Sequence, residues 1–182
     1  MKATGIVRRV DELGRLVIPK EIRRTMRLAE GTPLEIFTDR EGQIILKKYS
    51  PMMELGSFAK QYAESVAQTM NQKVAVSDRD QIIAVAGGGK REPLGKTISR
   101  QLEEMIINRE NSIQAGLDKK TIPLISGDED SYSAQAIYPI CCEGDCIGAV
   151  ILYSRENQTH FSETEYKAAA CAASFLGKQM EG

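Results

Sequence analysis

Gly14, Pro19, Gly31, Pro33 and Gly42 punctuate the first fifty residues into short segments, and that punctuation sets what this part of the chain can fold into. Thr4–Val10 is rich in β-branched residues and predicts a strand. Asp11-Glu12-Leu13-Gly14 supplies a turn, and Arg15–Ile18 predicts a second strand ahead of Pro19. Pro19 suits the first helical position, where its missing N–H costs nothing, and Lys20–Arg27 follows as two helical turns. Leu34–Thr38 and Gln43–Lys48 flank Asp39-Arg40-Glu41-Gly42, a hairpin signal because glycine supplies the positive φ of such turns. The order β-β-α-β-β in about fifty residues leaves too little surface to bury for comfortable stability alone. Its apolar strands are therefore expected to pair with those of another chain.

Charge divides the chain at the same place. Residues 1–50 hold 11 Lys/Arg against 7 Asp/Glu, a balance of +4, and residues 51–182 hold 13 against 18, a balance of −5. A basic head on an acidic body suggests a nucleic-acid module joined to something else. Within the head, Lys20, Arg23, Arg24 and Arg27 fall at i, i+3, i+4 and i+7, which gathers them on one helical face, while Ile22 and Met26 mark another face for burial. A wholly cationic polar face is a candidate phosphate-binding surface.

Ser50-Pro51 marks the junction between domains placed at 1–50 and 51–182, as an N-cap with proline at the first helical position. Leu55, Phe58, Ala59, Tyr62, Ala63, Val66, Ala67 and Met70 then trace an amphipathic helix. Strands are expected at Lys73–Val76 and Gln81–Ala86, a helix near Thr97–Arg109, and strands at Thr121–Ile125, Ala134–Cys141 and Cys146–Tyr153. Ser162-Glu163-Thr164-Glu165 reads as a capping box opening an alanine-rich helix to about Gln179. The body is thus an antiparallel sheet with flanking helices, and the fold class is α+β. The Leu55–Met70 stripe serves either as core or as a seam between subunits. Phe58, Tyr62 and Val66 are the seam candidates, with the final helix as neighbour.

The runs Thr4-Gly5-Ile6-Val7-Arg8, Asp11 to Pro19, Glu21-Ile22-Arg23-Arg24 and Ile44 to Tyr49 resemble the AbrB-type swapped-hairpin DNA-binding domain over residues 1–50. The order of elements in the body resembles a GAF domain. The resemblance implies an intertwined dimer in which each chain completes the other's sheet, and a tetramer in which GAF-flanking helices join two such dimers. It also implies a cytoplasmic, nucleoid-associated transcription regulator of late, forespore sporulation genes, activating at some promoters and repressing at others. Its DNA-facing arginines match Arg8, Arg15, Arg23 and Arg24 here, with Lys20 and Arg27 as supporting phosphate contacts. Arg8 and Arg9 are neighbours on a strand and point to opposite faces, so the resemblance favours Arg8 and leaves Arg9 secondary.

Arginine's planar, always-charged fork holds phosphate bidentately and reaches guanine O6/N7. No Asn or Gln precedes Gln43, so few other base-reading groups exist in the head. Phosphate positioning and DNA deformability are expected to carry much of the selectivity, towards AT-rich or deformable duplex sites. A second reading, from another class, is a ligand sensor or antitoxin whose basic head binds a protein partner. Antitoxins of the swapped-hairpin type usually carry short toxin-wrapping tails, whereas this head precedes a body of ordinary domain size.

Other chemistry is expected to be absent. The stretch Gly89 to Thr97 imitates a P-loop, but counting back from Gly95-Lys96-Thr97 puts Lys90 where glycine is required, and Pro93 restricts the loop. No enzyme activity is expected, and no cofactor beyond an unidentified small ligand in a GAF-like pocket. Cys142, Cys146 and the single histidine, His160, do not make a zinc site, and the cysteines are expected to be reduced, buried thiols. No nucleophile has a histidine near it, and Asp128, Glu129 and Asp130 read as a solvated loop. No run reaches the ~18 apolar residues of a membrane span, and no secretory signal is expected.

Overall fold

Asp11 and Gly14 close the first turn: the Gly14 N–H donates to the Asp11 carbonyl and the Asp11 N–H to the Arg15 carbonyl, each at 3.0 Å. These distances come from a computed structural model, which describes residues 5–49, 56–88, 93–115, 121–128, 132–156 and 159–181. The chain divides into two compact units, a head of Met1–Tyr49 and a body of Ser50–Gly182.

In the head, helix α1 spans Lys20–Thr25, and strands β1 (Leu34–Thr38) and β2 (Ile44–Lys48) form an antiparallel hairpin. The described runs before and after the Asp11 turn form no strand in the single chain. The sequence predicts strands there, Thr4 apart, which lies outside the described residues. A strand exists only with a partner ladder, and one chain does not supply one to these runs. Pro19 is the N-cap, not the first helical residue: its ψ of 147° is extended, and its carbonyl accepts from the Arg23 N–H at 3.0 Å. The helix also stops earlier than the cationic spacing suggests. Leu28 N–H donates to the Arg23 carbonyl at 2.7 Å and Arg27 N–H to that of Arg24 at 3.3 Å, with Arg27 at φ 51°. This is a Schellman ending with arginine in the left-handed position that glycine usually fills. Arg27 therefore leaves the helical stripe.

The body is a five-stranded sheet in the order β4-β3-β7-β6-β5, antiparallel throughout. The strands are β3 (Lys73–Asp78), β4 (Ile82–Ala86), β5 (Ser112–Ala115), β6 (Ala134–Cys142) and β7 (Asp145–Ser154). Helices α2 (Gly56–Met70) and α4 (Glu163–Gln179) cover one face, where Ala59, Ala63, Ala67, Ala169, Ala173 and Leu176 pack with Val74, Val150 and Leu152. Helix α3 (Arg100–Ile107) covers the other, with Leu102, Met105 and Ile106 over Ala75, Ile137 and Ile151. Small residues let α4 approach closely. A Cβ at Gly177 would lie 2.3 Å from the Cys141 carbonyl oxygen of β6.

Three expectations in the body need correction. Thr121–Ile125 is not a strand. Pro123 removes a donor from the run, and the fully buried Gln135 side chain holds the backbone instead, accepting from Ile122 N–H at 2.9 Å and donating to its carbonyl at 2.6 Å. The strand on that side of β6 is Ser112–Ala115. The cysteines are not reduced, buried thiols: Cys141 and Cys146, facing partners on β6 and β7, form a disulfide, Cys142 is half-buried and Cys171 exposed. Asp128 is not solvated. Its carboxylate accepts from the Tyr132 hydroxyl at 2.6 Å and from Arg155 Nη2 at 2.9 Å. Burial and that hydrogen bond push the Tyr132 phenol above its ordinary range. Ser50-Pro51, Leu55, Gly89 to Glu92, Glu129 and Asp130 lie outside the described residues.

Candidate nucleic-acid interface

The candidate cations sit on two supports in the head. Helix α1 carries Lys20, Arg23 and Arg24, all exposed. Glu21 in its first turn and Arg23 and Arg24 in its last complement the helix dipole. Lys20 and Arg24 share a shallow concavity with Glu21 and Thr25, as the i, i+4 spacing requires. Arg27 lies just beyond, turned off the helix by its positive φ.

The second support is the Asp11 turn. One carboxylate oxygen of Asp11 accepts from the backbone N–H groups of Leu13 at 3.0 Å and Arg15 at 2.8 Å. The other accepts from Arg15 Nε at 2.7 Å. These bonds from the backbone and side chain of Arg15 hold the Asp11 carboxyl below its usual value. Gly14, at φ 76°, adopts the left-handed conformation that lets the turn close. Arg8 lies on the preceding run, donates Nη1 to the Val7 carbonyl at 3.1 Å and borders an apolar groove. Arg9 is exposed.

That groove has a volume of about 470 Å³ and is lined by Ile6, Leu16, Ile18, Ile22, Leu28 and Leu46 among others. It lies where a core should be. Among the described residues of the head only Pro19 is buried, while Val7 is 83% and Val17 73% exposed. Arg8 thus borders an apolar surface that the single chain leaves open.

The seam candidates in the body separate by face. Ala59, Ala63 and Ala67 turn towards the sheet, leaving Phe58 51% exposed and Tyr62 and Val66 half-buried. Tyr62 stacks on Phe175 of α4 with ring centres 5.0 Å apart, and its hydroxyl lies 3.8 Å from Cys171 Sγ. Burial and that thiol raise the Tyr62 phenol. Phe175, which the sequence reading did not single out, is itself partly exposed and joins Phe58 as an apolar surface group. Among the described residues, no helix is long and apolar enough to cross a membrane, and no group of three His, Cys, Asp or Glu could hold a metal ion.

Residues 54–181 match the family described as stage V sporulation protein T C-terminal, transcription factor. Residues 7–53 match the family described as antidote-toxin recognition MazE, bacterial antitoxin. The chain is 50% identical over 181 residues to stage V sporulation protein T of Bacillus subtilis (strain 168), covering 100% of this chain and 99% of that protein. It is 66% identical over 53 residues to the transition state regulatory protein AbrB of the same organism, covering 29% of this chain and 54% of that protein. Among solved structures, a GAF domain from Acinetobacter phosphoenolpyruvate-protein phosphotransferase is similar with a TM-score of 0.54 at 14% identity, covering 74% of this chain and 84% of that one. At that identity the likeness speaks for the fold of the body alone.

Proposed function

The chain belongs to the stage V sporulation protein T family of transcription factors, and from that premise we propose that two heads intertwine into one cationic DNA-binding surface. The protein is a DNA-binding transcription regulator of sporulation. The observation that carries the finer reading is the open apolar groove that Arg8 borders. A head whose described residues bury only Pro19 gains a core by accepting the exposed runs around Val7 and Val17 of a second copy. Pairing doubles the set Arg8, Arg15, Arg23 and Arg24, supported by Lys20 and Arg27, with Arg9 secondary. These residues neutralise phosphates and offer forks to guanine edges, so selectivity for AT-rich or deformable sites comes largely from duplex shape.

Regulation of late forespore genes in both directions extends the same reading, with the protein working in the cytoplasm on the nucleoid. The body assembles two head pairs through α2 and α4, with Phe58, Tyr62 and Val66 at the seam. Replacing the exposed Phe58 with serine leaves the body's own packing intact and is expected to halve the particle mass in light scattering. An unchanged mass removes Phe58 from the seam.

The main test is a salt titration of a duplex that the full-length protein itself has selected from random sequence. With about eight phosphates engaged, affinity falls roughly 10³–10⁵-fold between 50 and 200 mM salt. A flat profile overturns the mechanism. The match of the head to an antitoxin family favours a second reading, in which the basic surface receives a protein. The transcription-factor match over 54–181 weighs against it, and that reading predicts the flat profile.

A further inference from the structure

The head contains the same turn twice. In Asp11-Glu12-Leu13-Gly14-Arg15, the Asp11 N–H and carbonyl bond the Arg15 carbonyl and Gly14 N–H, and Oδ1 accepts from Leu13 and Arg15 N–H. In Asp39-Arg40-Glu41-Gly42-Gln43, the Asp39 N–H bonds the Gln43 carbonyl at 3.2 Å and its carbonyl accepts from Gly42 N–H at 3.4 Å. Asp39 Oδ1 accepts from the N–H groups of Glu41 at 3.0 Å and Gln43 at 2.8 Å. One carboxylate oxygen therefore suffices to build this turn.

The two copies differ in the second oxygen. Asp11 Oδ2 grips Arg15 Nε at 2.7 Å. At the corresponding place in the second turn stands Gln43, whose Nε2 turns to Glu41 at 2.9 Å instead. The Asp11–Arg15 pair is open to solvent, with side chains 41% and 70% exposed, and such pairs add little to stability. Its consequence is directional. With Nε engaged, Arg15 keeps its two Nη groups for a further partner, and a carboxylate stands beside any phosphate that Nε would otherwise attract.

We propose that Asp11 is a positioning residue for DNA recognition: it holds Arg15 by Nε, aims the Nη fork at a base edge, and penalises loose phosphate contact. The fork then suits the paired acceptors of guanine O6/N7, while a backbone-only encounter loses part of Arg15 and meets a nearby negative charge. Asp11 thereby sets the ratio of specific to non-specific binding. The inference rests on the reading that Arg15 faces DNA.

Asp11→Asn separates the two jobs. Asparagine keeps Oδ1 for the turn but replaces the oxygen that accepts from Arg15 Nε with an NH2 donor. Full-length wild type, D11N, R15A, D11N/R15A and D39N are compared by fluorescence anisotropy at one salt concentration. The probes are the self-selected duplex and a scrambled duplex of equal length. D11N is expected to bind the scrambled duplex at least as well as wild type while the selected-to-scrambled ratio falls about fivefold or more, the lower end of what one bidentate base contact supplies. In the R15A background D11N leaves the ratio unchanged, and D39N leaves it unchanged with Arg15 present. A D11N ratio within twofold of wild type, an effect that persists without Arg15, or an equal effect from D39N overturns the proposal while wild type still binds. If wild type itself shows no salt-dependent binding to either duplex, the DNA-facing reading fails and takes the proposal with it.

Discussion

The head and the body solve the problem of burial in opposite ways. The body covers both faces of its sheet, so residues such as Leu102, Ile137 and Leu152 are fully buried within one chain. The head, among its described residues, buries only Pro19 and leaves a groove of about 470 Å³ lined by Ile22 and Leu46. Their helices differ in the same sense. Helix α4 starts from a complete capping box on Ser162 and Glu165, and α3 from Ser99, whose hydroxyl accepts from Leu102 N–H at 3.1 Å. Helix α1 starts from Pro19 with no side-chain cap. The body thus fixes these helix starts with its own side chains, and the head does not.

The sharpest way to break that contrast is to truncate one apolar side chain in each unit. Leu102→Ala opens a cavity in a closed core and is expected to cost about 2–5 kcal/mol in urea unfolding of the body. Ile22→Ala removes a half-buried side chain that would cost about 1 kcal/mol or less in an isolated head. If a second copy fills the groove, the same change costs about 2–5 kcal/mol and weakens DNA binding with it. A small Ile22 effect at every protein concentration would show that the head is complete as one chain.

Gly177→Ala gives a smaller effect and asks how tightly the body is closed. Its added Cβ would meet the Cys141 carbonyl at 2.3 Å, so α4 must shift off β6. Overpacking of this kind costs about 1–3 kcal/mol, read as a lower urea midpoint at unchanged slope. Retained stability would mean that α4 slides freely on the sheet.

The same contrast governs what was legible in the sequence. Features set by near neighbours could be read directly: the capping box of α4, the β6–β7 hairpin and the amphipathic helix α2 all depend on residues a few positions apart. Features that depend on distant partners could not. Thr121–Ile125 has strand composition, but Gln135 satisfies its backbone from another segment and Pro123 breaks its ladder. Arg15–Ile18 also has strand composition, yet it forms no strand in the single chain. In the candidate site, the i, i+3, i+4 spacing of Lys20, Arg23 and Arg24 was legible because helix geometry dictates it. The departure of Arg27 was not, since arginine gives no warning of a left-handed backbone. The grip of Asp11 on Arg15 was hidden for a further reason. Its signal is the repeat Asp-x-x-Gly at 11 and 39, and only atomic positions distinguish the two carboxylates.

The smallest expected effect concerns the helix starts. Ser162→Ala removes the hydroxyl that accepts from Thr164 N–H at 3.1 Å and is expected to cost about 1 kcal/mol. That cost depends on pH through Glu165. Partial burial pushes the Glu165 carboxyl upward, but hydrogen bonds from the Ser162 backbone and hydroxyl, each at 2.7 Å, outweigh it and leave the group below its ordinary 4.5. A depressed folded value means that the stabilisation is fully present above the unfolded value near 4.5 and is lost as pH falls through the folded one. Above pH 5 the first amides of α4 should therefore be protected from hydrogen exchange, and below pH 4 that protection should decline together with the cost of Ser162→Ala. Helix α1 has no titrating side-chain cap, so its first amides should show no such step over the same range. A matching step in α1 would place the pH dependence in the fold as a whole and erase the distinction between a helix capped by its own sequence and one held by its surroundings.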